Sequence, residues 1–384
     1  MRVGTRIATV AIGLLALITA YGSMAASAQI EDRAAMLERL ARNSLVAHIR
    51  PGYAAFDTSV ETLNRSLVAL CTSPPVSERR AAELLNVRAA FKGTVLSWAR
   101  LEHLRFGPVR EANRYERIAF WPDAKGLGRR QVQRVLRQRA PSVTDATTLA
   151  RKSVALQGLT ALEIVLAGEA IAPASAPRDA SSSLATTNAR FRCAYAQAIA
   201  ANLGTIADDL VAAWREGAKY SRIWLAPGPD NPVYLDASET ALELVRAYEF
   251  GLASTRDLKL VRPLGFTRPR RKPTPPPFFI SELSIPVLRA NIEGLHHLFA
   301  AGGLRNLVAR VDPLLAADLE RGMAQTIATL AEVDDPGRGA YTDERDRQRL
   351  IETGFPLKRA LIEGGAALKR AGDLSVGFNA SDGD

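Results

Sequence analysis

Apolar residues fall on a helical period along almost the whole chain, and that regularity leaves little choice of fold. Phe56, Val60, Leu63, Leu67 and Leu70 step by four and three, and Leu288, Ile292, Leu295 and Phe299 repeat the step. Residues so spaced share one face of a helix. Leu84, Val87, Phe91, Val95 and Trp98 form another stripe, and Ile199, Leu203, Ile206, Leu210 and Trp214 a fourth. The period-two alternation of a half-buried strand is absent, while Ala, Leu, Arg and Glu, all strong helix formers, are abundant. The expected fold class is all-α.

Turn-forming residues punctuate the stripes. Thr72-Ser73-Pro74-Pro75 joins two helices as an antiparallel pair, with Ser77 and Ser142 placed as caps. Helices are expected near 45–71, 77–103, 153–166 and 184–216, forming a bundle over residues 29–225. The run Ala226-Pro227-Gly228-Pro229-Asp230-Asn231-Pro232 is a linker, residues 226–232. Beyond it, helices near 238–259, 284–300, 313–330 and 343–371 make a second bundle over 233–384, giving two packed four-helix bundles. Three long irregular connections remain, at 105–128, 172–183 and 262–279. The second is rich in Ala, Pro and Ser and reads as a flexible linker. The first carries Phe106, Tyr115, Phe120 and Trp121, enough for a local core, and is expected to be ordered.

Residues 1–28 have the three parts of a cleavable signal peptide: Arg2 and Arg6, an apolar run over 7–19, and the small-residue site Ala26-Ser27-Ala28. The apolar run is shorter than the roughly 20 residues of a spanning helix. Export to the periplasm or cell envelope is expected, with no transmembrane segment in the mature chain. In an oxidising compartment Cys71 and Cys193, the only two cysteines, are candidates for a disulfide. Such a bridge closes a loop of about 120 residues and contributes roughly 4 to 5 kcal/mol before strain. Two unrelated buried thiols are the alternative.

The formal charge of +10 is spread through helical segments rather than interleaved with aromatics, so the chain lacks the footprint of a nucleic-acid binder. Its one dense basic cluster, Arg268, Arg270, Arg271 and Lys272, sits in a proline-rich segment and reads as a solvated loop, with an anion site or a contact within a membrane-associated assembly as the alternatives. Four histidines leave few catalytic options. The zinc-protease pair of histidines around a glutamate, the nucleophile elbow and the phosphate-binding glycine loop are all missing. Glu293 and His296 have the spacing of a di-iron ligand pair, but no second copy accompanies them. His48 and His103 are isolated in sequence and read as structural.

The most unusual local chemistry lies in Arg105-Phe106-Gly107-Pro108, Phe120-Trp121-Pro122-Asp123 and Gly158-Leu159-Thr160-Ala161-Leu162-Glu163. In that order, with a tryptophan helix before them and Gly377-Phe378-Asn379-Ala380 and Asp382-Gly383-Asp384 at the end, they resemble the imelysin family of exported, iron-regulated envelope proteins. The resemblance implies two helical bundles with a cleft between them, partly lined by a G-x-H-x-x-E motif. It also implies a nominal metallopeptidase activity, and iron or zinc as a cofactor. Here Gly158 and Glu163 match the motif, but Thr160 stands in place of the histidine. A threonine hydroxyl is a poor ligand for transition metals, which leaves Glu163 as the single candidate. The expectation is therefore a non-catalytic binding protein for a small ligand or metal complex, with Arg105, Trp121, Asp123, Gly158, Thr160 and Glu163 lining one site and Glu163 paired with Arg105 or another cation. Its partners would be envelope uptake proteins. An envelope metallopeptidase is the alternative.

Overall fold

The computed structural model describes residues 31–73, 78–123, 125–167, 187–265, 275–333, 336–337 and 339–374. The expected signal peptide, Ser77, the linker at 172–183, the basic cluster at 268–272 and the closing motif at 377–384 lie outside them. The described residues are helices and turns without a strand, as the apolar period requires.

In the first half, α1 (31–43) continues into α2 (Arg50–Thr72), which packs against α3 (Glu78–Ala99). Short α4 (Arg114–Ile118), α5 (Leu127–Gln138), α6 (Ala146–Leu149) and α7 (Gly158–Leu166) follow, and the long α8 (Thr187–Trp214) returns along α2. Every member of the stripe from Phe56 to Leu70 is buried, as are Val87, Phe91, Val95 and Trp98 on α3 and Ile199 to Trp214 on α8. Each such side chain contributes about 1.5–3 kcal/mol of transfer free energy. Cys71, at the end of α2, is bonded to Cys193 on α8, with the Cα atoms 5.7 Å apart.

In the second half α9 (Lys219–Leu225) and α10 (Ala237–Ala253) lead through a wide turn, Ser254–Val261, to α11 (Arg262–Leu264). Then come α12 (Ser284–Ala300), α13 (Leu304–Val311), α14 (Pro313–Ala331), α15 (Glu344–Arg359) and α16 (Gly365–Gly372). Leu288, Ile292, Leu295 and Phe299 are buried on α12. That helix packs on α3, and a Cβ on Gly294 would strike the carbonyl of Arg100. Only glycine lets the two backbones approach this closely.

Two wide, π-type turns precede prolines: Ser44–Ile49 comes before Pro51, and Ser254–Val261 before Pro263. A proline ring cannot tolerate the carbonyl four residues back in a regular helix, and widening the turn there lets the helix continue. These turns carry His48 and Lys259, both buried.

The expected helix at 153–166 begins later. Ser153 Oγ accepts the Ala155 N–H at 3.3 Å to cap a single tight turn, Val154–Leu156, and the α-helix starts only at Gly158. Gly158 has φ +71°, and a Cβ there would collide with the carbonyls of Arg117 and Ile118, so the chain must break at this residue. Asp145, rather than Ser142, caps the neighbouring helix, accepting the Thr148 N–H at 2.8 Å. The arginine-rich α5 escapes the stripe pattern because its inward face is short, made by Gly128, Val132 and Val135 with Leu136 at its edge.

Candidate functional site

The 105–123 segment is ordered by its aromatics, as its composition implies. Phe106 stacks on Trp224 with ring centroids 4.9 Å apart, and Tyr115 meets Trp98 edge-on at 5.4 Å. The Tyr115 hydroxyl donates to the Glu102 carbonyl at 3.0 Å. Phe120 and Trp121 are carried from there onto the start of α7. The Phe120 N–H donates to Thr160 Oγ1 at 3.2 Å, tying the FWPD turn to the degenerate motif. The Trp121–Pro122 peptide is cis.

These residues wall a pocket of about 390 Å³. Phe120, Trp121 and Pro122 form one side, Thr160, Glu163 and Ile164 of α7 the floor, and Pro275 to Ile280 the opposite side. Aromatic and proline faces dominate, with few polar groups, the composition usual for small-molecule sites. Glu163 is 5% exposed, and its Oε1 accepts the Ser281 N–H at 2.9 Å. Burial pushes its carboxyl up to about 7, against the Ser281 N–H, which favours the charged form. Near neutral pH the group can therefore either donate a proton in a hydrogen bond or accept one.

Of the six residues expected to line one site, five gather at or beside this pocket. Trp121, Asp123, Thr160 and Glu163 line it, and Gly158 sets the break from which α7 starts. Asp123 is engaged structurally, its carboxylate accepting the N–H groups of Leu127 at 2.6 Å, Gly128 at 2.9 Å and Arg129 at 3.3 Å. A carboxylate there neutralises the positive end of α5. Arg105 is elsewhere. It lines a separate cleft with Tyr115 and Phe250, so the proposed pairing with Glu163 does not form. The chain turns away between them through left-handed Gly107, Ala112 and Asn113. The cation that does line the Glu163 pocket is Arg129.

The wall from Pro275 to Ile280 carries no motif that marks it as part of a site, although its proline run followed by Phe278-Phe279 cannot continue a helix and offers an apolar face. Behind Trp121, Lys259 Nζ lies 5.3 Å from the indole ring and is bound to Glu102 Oε2 at 2.5 Å and Asn291 Oδ1 at 2.8 Å. Glu293, which has the spacing of a di-iron ligand to His296, is engaged in ion pairs with Arg100 at 2.6 Å and Arg289 at 3.2 Å.

The donor set beside Glu163 does not fit a transition metal. Thr160 Oγ1 and Glu163 Oε1 each accept a backbone N–H, Asp123 is committed to α5, and no histidine lines the pocket. Among the described residues, no group of three or more His, Cys, Asp or Glu side chains is arranged to hold a metal ion.

Comparison with known proteins places these features in a family. The family model described as imelysin matches residues 49–358. The crystal structure of an imelysin-like protein from Psychrobacter arcticum superposes with a TM-score of 0.69 at 20% identity, covering 90% of this chain and 98% of that one. A protein from Parabacteroides distasonis named as an iron-regulated protein A precursor gives 0.67 at 14% identity, covering 88% and 95%. At these identities the likeness is one of fold. No curated protein matches the chain.

Proposed function

The chain belongs to the imelysin family, and from that premise we propose that it is an exported, non-catalytic binding protein of the cell envelope, serving iron- or metal-related uptake. Its ligand is a small molecule or metal complex held in the pocket between the FWPD turn and the Pro275–Ile280 wall. The observation that carries this reading is Glu163: a carboxyl 5% exposed, on the floor of a 390 Å³ pocket walled by Phe120, Trp121, Phe278 and Phe279. One ionisable group amid aromatic faces suits a flat, largely apolar body with one polar group directed at Glu163. The connection to iron rests on the name of the structural relative from Parabacteroides distasonis. Export rests on the signal-like residues 1–28, and among the described residues no helix is long and apolar enough to cross a membrane.

The replacement at Thr160 supports the non-catalytic part of this reading. A metallopeptidase needs a metal to polarise the scissile carbonyl and activate water, and one free carboxylate cannot supply that site. The test is elemental analysis of protein isolated from its native envelope, with mass spectrometry of any released molecule. A bound organic molecule or intact metal complex, lost in Trp121→Ala and weakened in Glu163→Gln, is the expected result. Stoichiometric zinc or iron held by protein side chains, with chelator-sensitive cleavage of an unstructured polypeptide, would overturn the proposal.

A further inference from the structure

Arg105 is held in a way that most arginines of this protein are not. Arg50, Arg114, Arg117 and Arg192 each direct the guanidinium into carbonyls or carboxylates. Arg105 instead lies 4.6 Å from the ring centroid of Tyr115 and 4.6 Å from that of Phe250. Its nearest carboxylate oxygen, Glu116 Oε1, is 3.9 Å away, beyond hydrogen-bond range. Among the described residues the Arg105 guanidinium donates no hydrogen bond. Two rings therefore fix its position while its in-plane N–H groups remain available.

The space beside it is a cleft of about 510 Å³ between the 105–116 segment and α10. Arg110 and Arg246 also line it, facing Glu116 and Glu243, so the arginines outnumber the acids. Glu243 is half-buried, and burial raises its carboxyl above the ordinary value against the nearby Arg246 and Arg110. Phe106, Tyr115 and Phe250 supply an apolar floor. A stacked, preorganised guanidinium with free donors is the arrangement that recognises a planar oxyanion through two parallel hydrogen bonds.

We infer that this cleft is a second ligand site, distinct from the pocket at Glu163, and that it takes an oxyanion, a carboxylate or a phosphate, bound through Arg105 with Arg110 and Arg246 supplying further positive charge. The bound group would carry an apolar or ring-bearing body to lie on the aromatic floor. Binding here does not depend on what occupies the other pocket.

The test is calorimetric titration of the full chain with inorganic phosphate and, separately, with benzoate, at ionic strength held constant with chloride. Saturable binding of at least one is expected, and which one binds more tightly tells phosphoryl from carboxylate chemistry. Arg105→Met keeps bulk between the rings but removes the donors, and should weaken that binding at least tenfold. Arg105→Lys, a point charge without the two-pronged edge, should lose nearly as much, while the remote, exposed Arg65→Met should match the parent. If Arg105→Met does not fold, as judged by circular dichroism, Arg110→Met takes its place, with a loss of threefold or more expected. No saturable binding of either anion, or binding that these cleft variants leave unchanged, would overturn the assignment.

Discussion

His48 Nε2 lies 3.0 Å from His103 Nε2, and the other ring nitrogen of His48, Nδ1, lies 2.9 Å from Nδ1 of His297. Three imidazoles thus form a chain from the exposed His297 to the buried His103 across residues 249 positions apart in sequence. A neutral imidazole has one N–H and one lone pair, so His48 must donate to one neighbour and accept from the other. A doubly protonated His48 would instead donate to both neighbours, and each of those would have to turn a lone pair toward it.

Burial, rather than loss of these hydrogen bonds, makes the joint sensitive to acid. Burial lowers His48 well below the ordinary value, and burial likewise brings His103 down from 6.5 to about 3. In the folded state they bind fewer protons than in the unfolded chain, so the stability they confer is present above about 6.5 and is lost as pH falls toward 3. For His103 the loss between pH 7.5 and 5 is about 2 kcal/mol. His103→Gln should be less stable than the parent at pH 7.5, and the gap should shrink by about 2 kcal/mol at pH 5. Urea unfolding at both pH values measures it, and a gap independent of pH would show that His103 does not titrate in this way.

Glu163 acts with the opposite sign. Its carboxyl is raised from 4.5 to about 7, so the folded state keeps a proton that the unfolded chain releases, and stability falls as pH rises through that window. Glu163→Gln retains an oxygen for the Ser281 N–H and has no charge to bury. It should stabilise the protein at pH 8 by on the order of 2–3 kcal/mol, fading to little near pH 4.5. Guanidinium unfolding at pH 5 and pH 8 reads the difference, and an equal effect at both would refute burial as the cause.

What the sequence discloses and what it hides divide along contact range. The stripes from Phe56 to Leu70 and from Leu288 to Phe299 are legible because helix period is a local property, and they are buried as their spacing requires. The meeting of Trp121, Thr160 and Glu163 is legible through the family pattern in which they occur. The histidine chain is not, since His48, His103 and His297 share no motif and meet only because α12 packs against the wide turn Ser44–Ile49 and against α3, just beyond which His103 lies. The separation of Arg105 from Glu163 is hidden for a similar reason. The left-handed residues Ala112 and Asn113 turn the chain between Arg105 and Trp121, and nothing in their identities demands it.

The Cys71–Cys193 bond spans 122 residues and ties the end of α2 to α8. Loop closure on that scale contributes about 4–5 kcal/mol through the unfolded chain. The Cys71→Ser, Cys193→Ser double variant should lose roughly that amount in urea unfolding. Adding dithiothreitol should destabilise the parent but not the variant. A parent indifferent to reduction would mean that the bond does not form in solution.

The last prediction concerns the buried polar joint behind Trp121. Lys259 is 2% exposed and bound to Glu102 and Asn291, while Asn291 Nδ2 donates to the Ala99 carbonyl at 2.7 Å and to Glu102 Oε2 at 3.1 Å. This ion pair is enclosed between α3, α12 and the wide turn before Pro263, so removing one member strands the other in a poorly solvated place. Lys259→Met alone should cost about 3–5 kcal/mol, and Glu102→Leu alone a comparable amount. The double variant leaves no stranded charge and should cost much less than the sum. Chemical unfolding of the parent and the three variants closes the cycle. Strict additivity would mean that solvent reaches the pair freely, and that Lys259 does not help hold the indole of Trp121 against the wall of the Glu163 pocket.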